Sequence, residues 1–235
     1  MSFWQRLWRK REEADTVFWE GRPRSILGRF TFFVRNRFVT PRLVKIVMQR
    51  TTRGTIAEVG CGTAYGSVLI SARRGDRVIA LDNSGSALAL AQGIAKENGV
   101  QLDWLLSDIL SMPLRDDAVD LAWNIGTLEH FPDPQPLLRE MKRIARMTIC
   151  IVPAWSLGWV VSLRLLALLG YYNPEYMRYH DAKSLASAFR QAGFEAIEVG
   201  RVMYLPFCPC LVGIGRKVVV EEEGAHIRQR QQHAF

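Results

Sequence analysis

Ionisable residues recur just after short apolar runs in this chain: Glu58, Asp82, Asp108 and the pair Glu129-His130. Each run reads as a buried strand, so these groups would gather along one edge of a sheet. Carboxylates there suit hydrogen bonding to hydroxyl, amine or cationic groups of a ligand, and a histidine with its ordinary pKa of about 6.5 suits proton removal. Asp82 closes the run Arg77-Val-Ile-Ala-Leu-Asp82, about twenty residues beyond a glycine-rich turn. A carboxylate at that place can accept both hydroxyls of a ribose.

The turn is Thr55-Ile-Ala-Glu58-Val-Gly60-Cys61-Gly62-Thr-Ala64-Tyr65-Gly66, a strand passing into a tight turn and then a helix. Gly60 and Gly62 let the backbone bend sharply and let a ligand approach it closely. Glu58 departs from a phosphate cradle, since its charge would repel a pyrophosphate, and Tyr65 stands where a dinucleotide fingerprint needs glycine. The segment Glu58-Val-Gly60-Cys-Gly62-Thr-Ala64 resembles the first motif of the class I S-adenosylmethionine-dependent methyltransferases, of small-molecule type, with alanine in place of the third glycine. The notable segment Leu128-Glu129-His130, followed by Asp133-Pro134, is similar to a second motif of that family.

The resemblance implies a cofactor, S-adenosyl-L-methionine, held by Glu58, Gly60, Cys61, Gly62, Asp82, Asn83, Asp108, Ile109 and Asn124. It implies that Asp108 meets the adenine amine and that Ile109 packs on the ring. His130 is the candidate catalytic base, with hydrogen bonding to the cofactor as its alternative role, while Glu129, Tyr65, Tyr179 and His180 are weaker candidates. Methyl transfer is an in-line displacement that asks chiefly for alignment, exclusion of water and, for a hydroxyl acceptor, proton removal. No metal is expected.

Around these residues the implied fold is α/β: a Rossmann-like, seven-stranded, mostly parallel sheet sandwiched by helices, with its last strand antiparallel. The pattern predicts strands over 55–59, 77–82, 101–106, 118–124, 147–153, 194–199 and 211–220. Helices are expected over 64–72, from Pro41 through Met48, over 84–98 with Asn98-Gly99 as the stop, from Pro134 with Asp133 as N-cap, and over 182–191. Residues 206–210 read as an apolar link between the last two strands. The organisation expected is a basic, aromatic helical extension over 1–53, a cofactor-binding domain over 54–220 with an apolar lid insertion at 155–172, and a polar tail over 221–235.

The chain has 235 residues, 49% of them hydrophobic, and a net charge of +8. That length suits one globular unit. Residues 1–53 hold 13 Lys and Arg against 4 Asp and Glu, so the excess positive charge sits in the extension. Such geography disfavours a nucleic-acid footprint across the whole domain, and Asn124-Ile-Gly-Thr127 lacks the Asn/Asp-Pro-Pro-aromatic pattern of enzymes that methylate base amines. The four cysteines lack paired spacing and read as reduced thiols. Phe3, Trp4, Leu7 and Trp8 alternate with cations at helical spacing, and 155–172 is apolar but interrupted by Arg164 and shorter than a comfortable span. The expectation is a cytoplasmic enzyme acting on a small, hydrophobic substrate, peripheral to an anionic membrane. The alternatives are an RNA-modifying methyltransferase, a noncatalytic protein of the same fold, and an NAD(P)-dependent oxidoreductase.

Overall fold

Period-two alternation builds the sheet. In Val119–Ile125, Leu121 and Trp123 face one hydrophobic core while Ala122 between them faces the other. A strand buried on both faces needs helices on both sides. The computed structural model describes residues 33–168 and 177–217, and the expectations for residues 1–32, 169–176 and 218–235, including the amphipathic opening and the polar tail, lie outside them.

The strands are β1 (Thr55–Val59), β2 (Arg77–Asp82), β3 (Asp103–Leu106), β4 (Val119–Ile125), β5 (Ala145–Pro153), β6 (Ala196–Leu205) and β7 (Cys208–Arg216). Their order is β3-β2-β1-β4-β5-β7-β6, with β7 antiparallel to both neighbours and the rest parallel. The helices are α1 (Thr40–Arg50), α2 (Tyr65–Arg74), α3 (Gly85–Glu97), α4 (Gln135–Ile144), α5 (Leu157–Leu168) and α6 (Ala182–Gln191). One face of the sheet carries α1 to α3 through residues such as Val44, Val68 and Ile94; the other carries α4 and α6 through Leu138, Met141 and Phe189. This is the expected seven-stranded sandwich.

Several boundaries differ from the sequence reading for identifiable reasons. Pro41 stands in the first turn of α1 as expected, but helical structure already begins at residue 33 and passes through a π-turn, Arg35–Val39, directly before α1. Pro41 has no N–H to donate to the carbonyl four residues back, which lies within that turn. Asp133 is not the N-cap of α4; Pro134 is, and the Asp133 carboxylate accepts from the Gln135 amide at 3.0 Å. Cys208, Pro209 and Cys210 are not a link but the start of β7. Pro209 is tolerated inside a sheet because the β6–β7 register slips between Met203 and Leu205, beside it.

The N-terminal helix is fastened to the sandwich. Leu43, Val44 and Val47 are fully buried, and the Arg74 guanidinium donates to the carbonyls of Met48 and Thr51 and pairs with the buried Asp76 at 2.5 Å. Arg74 thereby satisfies carbonyls left open at the end of α1 and turns the chain into β1.

Candidate functional site

The carboxyl ends of β1, β2, β3 and β4 meet around the glycine turn. Gly60 and Gly62 have φ of 69° and 50°, in the left-handed region. A side-chain carbon on Gly60 would lie 2.8 Å from Thr127 Cγ2, so this bend closes only with glycine. Ala64 shares the left-handed geometry at φ 49° and is wholly buried, which makes the third position of the motif a strained one.

Glu58 points back under the turn. Its Oε2 accepts from the Ser67 amide at 3.1 Å and the Ser67 hydroxyl at 2.5 Å, so the carboxylate anchors the first turn of α2. Burial pushes its pKa up to about 7, against the lowering effect of those bonds, and the nearby Asp82 adds to the rise. Asp82 accepts from the Gly62 amide at 2.7 Å and the Ser84 amide at 3.0 Å, which locks the end of β2 to the turn, and burial raises its pKa too. Asn83 is exposed beside it. Cys61 pairs its amide with the Leu81 carbonyl at 2.9 Å, and its buried thiol is held protonated first by burial and then by the charges of Asp82 and Glu58.

Asp108 is exposed at the mouth, where it accepts from the Leu110 amide at 2.9 Å. Ile109, expected to lie on an adenine ring, belongs to the same hydrophobic cluster as Val59, Leu81 and Met112. Asn124 is fully buried, and its amide nitrogen lies 3.3 Å from the sulfur of Met141 on α4, on the sheet face away from α2. Residue alternation along β4 explains this, because Trp123 is the residue that points toward α2, where its ring fits against Gly66.

His130 and Glu129 lie in a single 3₁₀ turn, Leu128–His130, directly after β4, and both are buried. Thr127 begins that turn with its hydroxyl 3.4 Å from the Gly60 carbonyl, so His130 is carried on the segment that covers the glycine turn. The Arg178 amide donates to the Glu129 carbonyl at 3.0 Å, and His180 bridges to Ala154 at the end of β5. Tyr179 and His180 therefore pass along the same strand edge, whereas Tyr65 begins α2.

Three further residues escape the sequence reading. Leu106, 63% exposed, is the register partner of Asp82 on the next strand and gives that carboxylate an apolar neighbour. Arg35 in the π-turn reaches Thr63 of the glycine turn at 3.5 Å, and its charge is felt by Glu58 and Tyr204. Tyr204 on β6 is pushed up to about 12 by burial, with Arg35 opposing. Arg35 and Tyr204 are distant from the motifs in sequence; the π-turn was the only local feature, and it follows from tertiary packing.

An open α/β sheet with a glycine turn after β1, an acid at the end of β2 and a single antiparallel strand next to the edge defines a nucleoside-binding sandwich. Comparison with known proteins makes this narrower. Residues 57–148 match the family described as methyltransferase domain. Norajmaline N-methyltransferase of Rauvolfia serpentina is 31% identical over 37% of this chain and 31% of its own length. The ubiquinone biosynthesis O-methyltransferase of Hahella chejuensis is 26% identical over 64% of this chain and 67% of its own. Magnesium protoporphyrin IX methyltransferase from Synechocystis, solved with bound SAH, superposes with a TM-score of 0.63 at 17% identity, covering 91% of this chain and 94% of that one. The chain spans about a third of the length of several curated relatives that it matches. Residues 57–148 are thus similar to the methyltransferase domain, which supports the resemblance to the class I S-adenosylmethionine-dependent methyltransferases and S-adenosylmethionine as the cofactor.

The residues present fit that cofactor. Asp82 and Leu106 pair a ribose acceptor with an apolar wall, and Arg35 and the buried Glu58 place a cation and a carboxyl group at the turn. Such a set suits a ligand with a ribose, a flat ring and a zwitterionic end.

Proposed function

We propose that this protein transfers a methyl group from S-adenosylmethionine to a hydroxyl, amine or activated carbon of a small, lipophilic metabolite. The observation that carries the reading is the convergence of Glu58, Asp82 and the His130 turn on one glycine bend. The bound cofactor supplies an electrophilic methyl on a sulfonium. Asp82 would hold the ribose hydroxyls, Leu106 and Asp108 would flank the base, and Arg35 and Glu58 would receive the carboxylate and ammonium ends. The turn carrying Thr127 and His130 shields the bend from water, and His130 would take the proton of a hydroxyl acceptor.

Lipophilicity is supported by the apolar helix α5, which rises from the end of β5 at the same strand edge. Relatives include tocopherol O-methyltransferase and 2-methyl-6-phytyl-1,4-hydroquinone methyltransferase of Arabidopsis thaliana, whose names carry lipophilic acceptors. The test is transfer of labelled methyl from S-adenosylmethionine to matched phenols with and without a prenyl chain. Labelling should favour the prenylated members and fall by roughly 10²- to 10⁴-fold in His130→Ala, with affinity for S-adenosylhomocysteine nearly intact. Equal labelling of both sets would remove the lipophilic preference, and a parallel loss of affinity would make His130 a cofactor contact.

A further inference from the structure

Apart from Ser162 and Arg164, helix α5 is apolar, and its described side chains divide between a packed side and an exposed one. Leu163 is buried, Trp159 donates its indole N–H to the Pro209 carbonyl at 2.7 Å, and Ser156 donates to the Phe207 carbonyl at 3.0 Å. The other side presents Leu157, Val161, Leu165 and Leu168, spaced four, four and three residues apart, all exposed. That spacing puts them on a single stripe. Trp155 and Phe207 extend the stripe at its N-terminal end: Phe207, 80% exposed, projects from the β6–β7 turn, whose backbone is close enough to Gly158 that any side chain there would collide with it.

We infer that this stripe, with Phe207 and Trp155, is a docking surface that inserts into the interface of an anionic lipid membrane. The inference deepens the lipophilic reading above by naming where such an acceptor would be met. Exposed apolar side chains on one line, borne by an edge helix and a turn tip, match the shape of an interfacial anchor. Arg164 is exposed, lies within the same helix and borders the stripe at helical spacing; α5 has no acidic residue. A guanidinium there can rest at lipid phosphates while its stem stays with the apolar side chains. A second copy of the chain docked by a two-fold axis on this stripe would bring the two Arg164 groups together with no carboxylate from α5 between them. The twelve residues of α5 are about 18 Å long, and no helix among the described residues is long and apolar enough to cross a bilayer. The attachment is therefore to one leaflet. Because α5 leaves the sheet at the end of β5, docking would bring the strand edge bearing His130 close to lipid.

Flotation of the full chain with phosphatidylcholine vesicles, with and without phosphatidylglycerol, tests this. Wild type should float with the mixed vesicles. Val161→Asp and Leu165→Asp, both at exposed positions, should each lower partition by roughly tenfold or more. Phe207→Asn, which suits the left-handed backbone at that position, should do the same. Arg164→Gln should weaken binding to the mixed vesicles alone. Calorimetric binding of S-adenosylhomocysteine, measured on every variant, should be unchanged and reports folding and the cofactor site separately. Unchanged flotation of all three apolar-site variants overturns the proposal. So does a wild type that stays in the aqueous fraction, including one that forms dimers which Val161→Asp and Leu165→Asp dissolve, since the stripe then serves a second copy.

Discussion

Ala64 concentrates the tension in the glycine turn. Left-handed backbone costs an alanine about 1–2 kcal/mol, but its methyl is buried against Cys61, Ala80, Leu88 and Ala91. Glycine there would relieve the strain, lose the methyl contact at about 0.8 kcal/mol and cost more unfolded-state entropy, at about 0.4–1 kcal/mol. These nearly cancel. Ala64→Gly should therefore fall within about 0.5 kcal/mol of wild type in urea denaturation, whereas Ala64→Val, branched and left-handed, should cost about 3 kcal/mol or more. Comparable stability of the two variants would show that the backbone at this position is not left-handed. Glu58 gives a second residue-scale expectation. Its pKa is about 7 in the fold against 4.5 as its ordinary value, so the folded state holds the extra proton between those values. Stability should thus decline as pH rises from about 4.5 through 7, by up to a few kcal/mol, with Asp82 acting in the same direction. Glu58→Gln should flatten that decline in denaturation profiles, and an unaltered slope would assign the titration to another group. Glycines, acids and their strand-end positions were legible because each leaves a local signature. The sheet face taken by Asn124 was not, because the side a strand residue faces depends on where the strand pairs.

At the scale of elements, the β3–β4 connection that carries Asp108 is pinned by one arginine. Arg143 on α4 donates to the carbonyls of Met112 and Leu114 at 2.9 and 2.7 Å and pairs with Asp116 and Glu140, while Glu140 accepts from the Met112 amide. The guanidinium holds the Glu140 carboxyl below its ordinary range. Arg143→Met keeps the stem and removes every donor, so it should lower stability by about 1–3 kcal/mol. Amides of residues 108–117 should exchange faster, and affinity for S-adenosylhomocysteine should drop several-fold; unchanged exchange there would mean the connection holds without the clamp. Most strands and helices were readable from periodicity, while the cap that Asp181 gives α6 through a reciprocal bond to Ser184 is seen only in the structure. The helical lead into α1, the extension of β6 and the placing of Pro209 inside β7 were not readable, since a π-turn and a register slip respond to neighbouring elements rather than to local propensity.

Across the whole molecule, the parallel strands deliver their carboxyl ends to one rim, with β4 and β5 toward one end and β1, β2 and β3 toward the other. The apolar stripe of α5 adjoins the β5 end. Leu106 lies at the other, and Leu106→Ser should weaken cofactor binding about tenfold while leaving stability within about 0.5 kcal/mol, because the side chain is exposed. Unchanged affinity would remove it from the pocket wall. The account rests on this rim binding S-adenosylmethionine rather than a dinucleotide, and calorimetric titration reads that directly. S-adenosylhomocysteine should bind the full chain at one site, with affinity at least about tenfold weaker in Asp82→Ala, and NAD(P) should give no saturable heat. Dinucleotide binding without a response to S-adenosylhomocysteine, or an Asp82→Ala variant that binds it as tightly as wild type, would contradict the account.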